Sequence, residues 1–451
     1  DNDGNIYVAK DETAVREKYA LASNVELRQE TDVLETWFSS SLWTFATLGW
    51  PEQTAELEKY HPTDVLVTGH DIIFFWVARM IMMTLHFTGE VPFKKVYIHG
   101  LVRDENGAKM SKSKGNGLDP LDLIEGIDLE TLVNKRTANL MQPELAPRIE
   151  KATRKQFPGG IAAYGTDALR FTYCALASTG RDVKFDMGRI EGYRNFCNKL
   201  WNASKFVLMN LEGADLSAPA EKSLVDRWII SRAGTMLVEA ERAFETYRFD
   251  LLASVIYEFV WHEFCDWYVE LAKPVLWGNK NIKNDQSKAE EKEKEEAQEK
   301  AKAGAQQTLL EVLETLLKAT HPIMPYITEA LWQEVGTQTG QTRDTIMLEN
   351  YPLAEDFARD PESEAAVEWL KGVIVGVRNI RGEANIKPSQ EIALQFQGGK
   401  PADRELANLN ATLLTRLAKL SSIEWLDDDQ EPPPHALQLV DELRVMVPLA
   451  G

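Results

Sequence analysis

Cysteine is scarce. The 451 residues hold three, Cys174, Cys197 and Cys265, odd in number and without a Cys-x-x-Cys pair, which excludes a disulfide framework and a thiolate zinc site and fits a reducing compartment. Basic residues are outnumbered: 50 Lys+Arg face 70 Asp+Glu, a net charge of −20. Nonspecific adhesion to nucleic acid or to an anionic membrane is therefore disfavoured, and any RNA contact has to use local basic patches. Long apolar runs are missing too. The most apolar window, Ile72 to Leu85, is shorter than the roughly 20 residues a bilayer span needs and carries Arg79, so no membrane segment is expected. The chain opens on Asp1-Asn-Asp-Gly without initiator Met, basic leader or apolar signal core, which leads to the expectation of an internal piece of a longer cytoplasmic protein. With 44% hydrophobic and 9% aromatic residues, a disordered or collagen-like chain is excluded. At roughly 150 residues per domain the length predicts about three domains.

Period-2 runs come first. Ile6 to Ala9 and Val25 to Gln29 read as short strands, and Val65-Leu-Val-Thr68 reads as a buried strand entering Gly69-His70-Asp71. A helical pattern from Ile72 to His86 and a second strand from Val96 to Val102 complete a strand–helix–strand order, which predicts a parallel α/β sheet with ligands beyond the carboxyl ends of its strands. From Asp119 the pattern turns helical: 129–141, 166–177, 189–211, 225–247, 251–276, 308–332 and 365–381, with a break at His321-Pro322 and Met324-Pro325. The Lys/Glu/Ala/Gln-rich run from Trp277 to Gln307 has little to bury and reads as a solvated hairpin extension or a disordered insert. Strands at 391–396, 423–426 and 443–447 around a helix at 404–420 predict a small closing α+β unit.

The segment Asn106-Gly-Ala-Lys109-Met110-Ser111-Lys112-Ser113-Lys114-Gly115-Asn116 concentrates three lysines and two serines between glycines. Such a loop can close over a polyphosphate, although a Walker P-loop is excluded by its spacing, and the plain reading of a lysine-rich, glycine-bounded stretch is a solvated turn. Arg181, Lys184, Arg189, Arg194, Lys199 and Lys205 alternate with Tyr193, Phe196, Trp201 and Phe206. Cations interleaved with rings suit unpaired RNA bases and their phosphates, with core packing as the competing role for the rings. The aromatic-rich stretch Trp261 to Tyr268 reads as a second packed face.

Lys109-Met-Ser-Lys-Ser113 matches the KMSKS signature of class I aminoacyl-tRNA synthetases. Asp32-Val-Leu-Glu-Thr-Trp-Phe-Ser-Ser40, Thr68-Gly-His-Asp-Ile-Ile-Phe-Phe-Trp-Val-Ala-Arg79, Tyr164-Gly-Thr-Asp-Ala-Leu-Arg170 and Asn379-Ile-Arg-Gly-Glu383 extend the match. Over essentially its whole length the chain resembles bacterial valyl-tRNA synthetases, the Asp-Ile-Ile-Phe-Phe-Trp run being the valyl form of a pattern shared with isoleucyl and leucyl relatives. Gly117, Ala108 and the charged insert depart from that family's usual pattern.

The resemblance implies a ligase that activates valine with Mg²⁺-bound ATP and transfers it to tRNA(Val), acting as a cytoplasmic monomer with no tightly bound cofactor, no protein-held metal and no membrane partner. It implies a multidomain chain: the back half of a Rossmann-like catalytic domain (1–115), a stem-contact connecting segment (116–187), an all-α anticodon-binding bundle (188–360) with the insert 278–306, and a helix plus small α+β domain (361–451). Lys109 and Lys112 become the catalytic cations. Met110, Ser111 and Ser113 with Gly69, Asp71, His99, Gly100 and Leu101 join them around ATP. Trp37, Ile72 and Trp76 become the amino-acid pocket, Ile72 and Trp76 being four apart on one expected helix, with ordinary core packing as the alternative for all three. Arg181, Lys184, Arg189, Arg194 and Lys199 become tRNA contacts. The family's other nucleotide signature, His-x-Gly-His, and with it the front half of the catalytic fold, the editing insertion and a coiled-coil arm are expected to lie outside these residues. The chain alone is then expected to be inactive. A stand-alone RNA-binding module and an isoleucyl enzyme are the rival readings.

Overall fold

Two β-branched runs start the architecture. β1 (Thr63–Gly69) and β2 (Phe93–His99) pair in parallel, Thr63 opposite Phe93 and Gly69 opposite His99. A parallel pair requires a crossover of a dozen or more residues, and His70–Thr88 supplies it as a 3-10 turn (His70–Ile72), a π-helical turn (Ile73–Val77) and an α-helix (Ala78–Thr88). Gly89, left-handed at φ 76°, ends that helix as its C-cap. Leu66, Val77, Met80 and Phe93 form the buried core between sheet and helix. The crossover stretch is 19 residues with mean hydropathy 1.3, long and apolar enough by length and composition to cross a membrane, which corrects the shorter window read from sequence. The computed structural model describes residues 1–178, 180–278 and 288–449, with the backbone alone at 288–291.

Asp1–His99 and Gly100–Gly451 are two compact units. In the first, the runs 6–9 and 25–29 are not strands. Ile6 is 88% exposed and Val8 65%, so neither buries a face that would hold a short strand in a ladder.

The second unit opens with a close crossing. β3 (Val102–Arg103) runs parallel to β4 (Val183–Lys184). A Cβ on Gly100 would lie 1.6 Å from the carbonyl oxygen of Arg181, so only glycine lets these segments meet. A small core of Leu123, Leu132, Phe157, Ile161, Leu169 and Ile190 gathers the helices Leu129–Thr137, Ala146–Gln156 and Thr166–Leu176. The first of these stops four residues before the expected end, because Asn139 turns left-handed at φ 57°.

A larger core fills the helical region, with Trp228, Phe264, Leu313, Val373 and Phe396 at most 2% exposed. Its helices are Met187–Leu211, Leu224–Glu245, the continuous run Phe249–Tyr257, Glu258–Tyr268 (π-helical) and Val269–Trp277, then Lys288–Thr320, Pro325–Thr339 and Pro361–Glu383. From residue 288 the charged run is the start of a bundle helix. Lys, Glu, Ala and Gln are strong helix formers, and Lys292 and Glu296 pair along it at 3.9 Å. The part of that run at 279–287 lies outside the described residues. The expected break after Thr320 is present, the next helix starting at Pro325.

The closing sheet has the order β6 (Leu420–Trp425), β5 (Ile392–Gly398), β8 (Leu443–Pro448), β7 (His435–Val440), with β5–β6 parallel and the other pairs antiparallel. The edge strand β7 is additional to the expected strands; prolines and acidic residues precede it and mask its pattern in the sequence. The helix expected at 404–420 is two, Pro401–Leu409 and Ala411–Ala418, divided at Asn410, whose side-chain amide bonds the carbonyl of Leu406 at 2.9 Å. The architecture is thus multidomain: an α/β segment, a helical region and a small sheet domain.

One buried acid sets a pH dependence. Asp226, 1% exposed, accepts from the Tyr268 hydroxyl at 2.6 Å and from the Ser223 amide and hydroxyl at 2.8 and 2.7 Å. Burial pushes its carboxyl above the usual range, although all three donors pull the other way. A raised native value means that its stabilising contribution is present below the unfolded-state value of about 3.9 and fades as pH rises through the folded one. Tyr268→Phe removes a donor to the charged form, so it is expected to destabilise by about 1–3 kcal/mol, and by more at pH 8 than at pH 4. Urea unfolding at the two pH values measures the difference, and an equal loss at both would refute the assignment.

Candidate functional site

The lysine loop is built on a polar clasp. After β3 the chain turns at Asp104, with Gly107 left-handed at φ 79°. The Asp104 carboxylate accepts from the amides of Asn106 and Ala108 at 3.0 and 2.7 Å and from the Asn116 side chain at 2.8 Å. Asn116 in turn donates to the Lys109 carbonyl at 3.3 Å and accepts from the Ser111 amide at 3.0 Å. The two ends of the loop are thereby stitched together across its base. Partial burial works to raise the Asp104 carboxyl, and the bonds from Asn116, Ala108 and Asn106 outweigh it, leaving the group below the ordinary carboxylate range.

Within the clasp, Lys112–Lys114 form one 3-10 turn. Ser111 caps its start and Gly115, at φ 64°, its end. Lys109 and Lys112 are exposed, Ser111 and Ser113 half-buried with their hydroxyls 3.2 Å apart, and Met110 packs against the small core. Gly115 is required, since a Cβ there would meet the Arg136 carbonyl oxygen at 2.6 Å.

Arg136 reaches from the Leu129–Thr137 helix to the Gly117 carbonyl, Thr153 Oγ1 and Gln156 Oε1, each at 3.3 Å, and lies 5.2 Å from the centre of the Phe157 ring. Burial lowers its guanidinium from the usual value. Beside the loop opens a cavity of about 1000 Å³ lined by Asp104, Met110, Asn116, Arg136, Tyr164 and Arg189 among others. Asp104, Asn116 and Arg136 were not singled out from sequence. The available signal was a pair of short polar residues flanking the lysine run.

The other nucleotide-side candidates divide between the units. Gly69 is buried at the end of β1, Asp71 exposed in the following 3-10 turn, and His99 half-buried at the end of β2. Gly100 and Leu101 begin the second unit, the Leu101 amide donating to Asp182 at 3.0 Å.

In the first unit Trp37 packs on Phe75 (5.9 Å between ring centres) and Trp76 on Trp43 (5.7 Å), while the Trp76 indole donates to the Ser40 carbonyl at 3.3 Å. The same-face argument for Ile72 and Trp76 assumed a uniform α-helix. The π-helical turn at Ile73–Val77 changes the angular step, so their four-residue spacing no longer sets their directions. Phe74 stands 83% exposed on the same turn.

Of the basic candidates, Arg181, Lys184 and Arg189 are exposed, and Lys184 and Arg189 also line the large cavity. Arg194 pairs with Glu191 at 3.5 Å and lies over Tyr164. Lys199 is paired with Asp266 and sits 4.1 Å from the Trp261 ring centre. Among the described residues no group of three His, Cys, Asp or Glu side chains is placed to hold a metal ion.

A clasped cationic loop after β3, followed by a helical bundle, is consistent with a class I synthetase architecture. Residues 5–186 match the tRNA synthetases class I (I, L, M and V) and residues 226–396 match the anticodon-binding domain of tRNA ligase. Residues 5–186 thus carry the class I tRNA synthetase family of the I, L, M and V group, and residues 226–396 carry a tRNA-ligase anticodon-binding domain. Similar solved structures include the ternary complex of a leucyl-tRNA synthetase from Agrobacterium radiobacter K84 (15% identity, TM-score 0.47, covering 93% of this chain and 42% of that one). Two methionyl-tRNA synthetase structures from Mycobacterium tuberculosis, both with methionyl-adenylate, are similar at 19% and 18% identity and TM-scores of 0.42 and 0.44. They cover 68% and 67% of this chain and 53% and 54% of their own. The chain thus spans about half the length of these structures.

Proposed function

We propose that this chain is the part of a valine–tRNA ligase that carries the KMSKS loop, one side of the amino-acid pocket and the tRNA-recognition domains. The observation that carries the reading is the loop itself: Lys109 and Lys112 presented to solvent on a rim held shut by Asp104 and Asn116. Activation of an amino acid is attack of its carboxylate on the α-phosphorus of ATP with pyrophosphate leaving. The protein's task is to position the reactants and to neutralise charge, without a covalent nucleophile. Lysines on a short loop suit this, acting as point charges that can follow the departing group. Ser111 and Ser113 add hydroxyl donors, ATP arrives with Mg²⁺, and each unit offers its own nucleoside contacts, Gly69, Asp71 and His99 in the first and Gly100 and Leu101 in the second. Valine is favoured by the Asp71-Ile-Ile-Phe-Phe-Trp76 run, whose indole with Trp37 supplies flat apolar walls. tRNA(Val) is the nucleic-acid partner, approached through Arg181, Lys184, Arg189 and Arg194. The enzyme is proposed to act in the cytoplasm as a monomer.

None of the seven histidines stands in a His-x-Gly-His arrangement, so the chain by itself is expected to give no valine-dependent pyrophosphate exchange. Joined to a valyl-type catalytic front half bearing that signature, it is expected to give exchange with valine and much less with isoleucine. Faster exchange with isoleucine would overturn the specificity, and robust exchange by the chain alone would overturn the site.

A further inference from the structure

Asp167 and Arg170 of the Tyr164-Gly-Thr-Asp-Ala-Leu-Arg170 segment have no part in the chemistry above, yet they make a reciprocal clasp over a long stretch of sequence. The Asp167 carboxylate accepts from the backbone amides of Tyr326 and Ile327 at 3.2 and 2.7 Å, capping the helix Pro325–Thr339 from outside its own chain segment. One turn after Asp167 on the helix Thr166–Leu176, the Arg170 guanidinium donates to the carbonyls of Ile323 and Pro322 at 2.9 and 3.0 Å. An acid therefore holds the amides and a base the carbonyls of one turn, residues 322–327, and each bond is charge-assisted. The turn is fastened internally as well, His321 Nδ1 lying 2.8 Å from Thr328 Oγ1.

The clasp occupies a junction. Residues 166–176 fall in the part matching the class I synthetases, and residues 322–327 in the part matching the anticodon-binding domain. The helix Thr166–Leu176 gives Ala168 and Leu169 to the small core and Phe171 to the large one. To this apolar packing, two oppositely charged groups gripping both polarities of one turn add a directional restraint at one place.

We propose that Asp167 and Arg170 are positioning residues for tRNA: they lock the angle between the connecting segment and the helical bundle so that both meet one tRNA at once. The inference rests on the proposed tRNA-ligase reading. Two surfaces held at the right spacing bind a long ligand with an effective-concentration gain that vanishes when the geometry is lost.

The test uses the 451-residue chain, a full-length tRNA transcript with a valine anticodon, and the isolated anticodon stem-loop of that transcript. The unaltered chain is expected to bind the full tRNA at least about tenfold more tightly than the stem-loop. Asp167→Ala and Arg170→Ala are expected to remove most of that advantage while leaving stem-loop affinity unchanged, and Asp167→Asn, which keeps an acceptor, to restore part of it. An undiminished advantage in both alanine variants would overturn the proposal. So would a parallel loss for tRNA and stem-loop, which marks damage to the bundle. Failure of the unaltered chain to bind either RNA would instead overturn the tRNA-ligase reading beneath it.

Discussion

If the chain is part of a valine–tRNA ligase as proposed, replacing Lys112 by alanine is expected to slow valine-dependent pyrophosphate exchange by about 100- to 1,000-fold, the usual cost of removing one strong electrostatic donor to developing charge. ATP affinity should fall far less, because the cation matters most when the α–β bond breaks and charge gathers on the leaving pyrophosphate. The geometry supports the distinction. Lys112 opens the single 3-10 turn of the loop, its backbone fixed by the Ser111 cap and by left-handed Gly115, while its side chain is exposed. Backbone position is thus set by the clasp of Asp104 and Asn116, and the ammonium remains able to follow its partner. The measurement is exchange kinetics in the enzyme that joins this chain to a catalytic front half. Unchanged turnover would take Lys112 off the list of catalytic groups, and a loss confined to KM would make it a ground-state binder.

Phe264→Ala should cost the helical region about 3–5 kcal/mol, the range for emptying a fully buried aromatic site. That is roughly a hundredfold or more in the folded-to-unfolded ratio. Phe264 is fully buried and its ring centre lies 6.0 Å from that of Tyr268, the residue that donates to Asp226. The cavity would therefore loosen the tyrosine that holds a buried carboxylate, coupling an apolar loss to a polar one. Combined with Tyr268→Phe the effect should be less than additive, since either change disturbs the same hydrogen bond. Urea unfolding of the two single variants and the double gives the coupling. Strict additivity would separate the ring contact from the Asp226 network.

Much of the chain was legible because its periodicities are strong. The parallel pair β1–β2 followed from strand–helix–strand order, since a helical crossover forces that direction. The long helices followed from 3.6-residue apolar spacing, and their break from His321-Pro322 and Met324-Pro325. Where the pattern misled, a local preference had no tertiary partner or a different one. Ile6 to Ala9 had the residues of a strand, but the Val8 amide and carbonyl are taken by the Tyr19 hydroxyl and the Lys18 ammonium instead of a neighbouring strand. The charged run from residue 288 had nothing to bury, yet it forms the first turns of a helix whose later residues, from Ala303 onward, enter the core.

The sequence by itself determined the family: the order and identity of Lys109-Met-Ser-Lys-Ser113, of Asp71-Ile-Ile-Phe-Phe-Trp76 and of Tyr164-Gly-Thr-Asp-Ala-Leu-Arg170 are properties of the string. It also determined the chemistry available, because lysines at a strand-derived loop bring positive charge whatever surrounds them. Only the tertiary structure decided how those groups are held. Asp104 with Asn116, Arg136 with Gly117, and Asp167 with Tyr326 and Ile327 are separated by 12, 19, 159 and 160 residues. Hydrogen bonds over such separations depend on where packing brings two backbones together, and no local propensity encodes that. The π-helical turn at Ile73–Val77 belongs to the same category: the residues call for a helix, and packing sets its step.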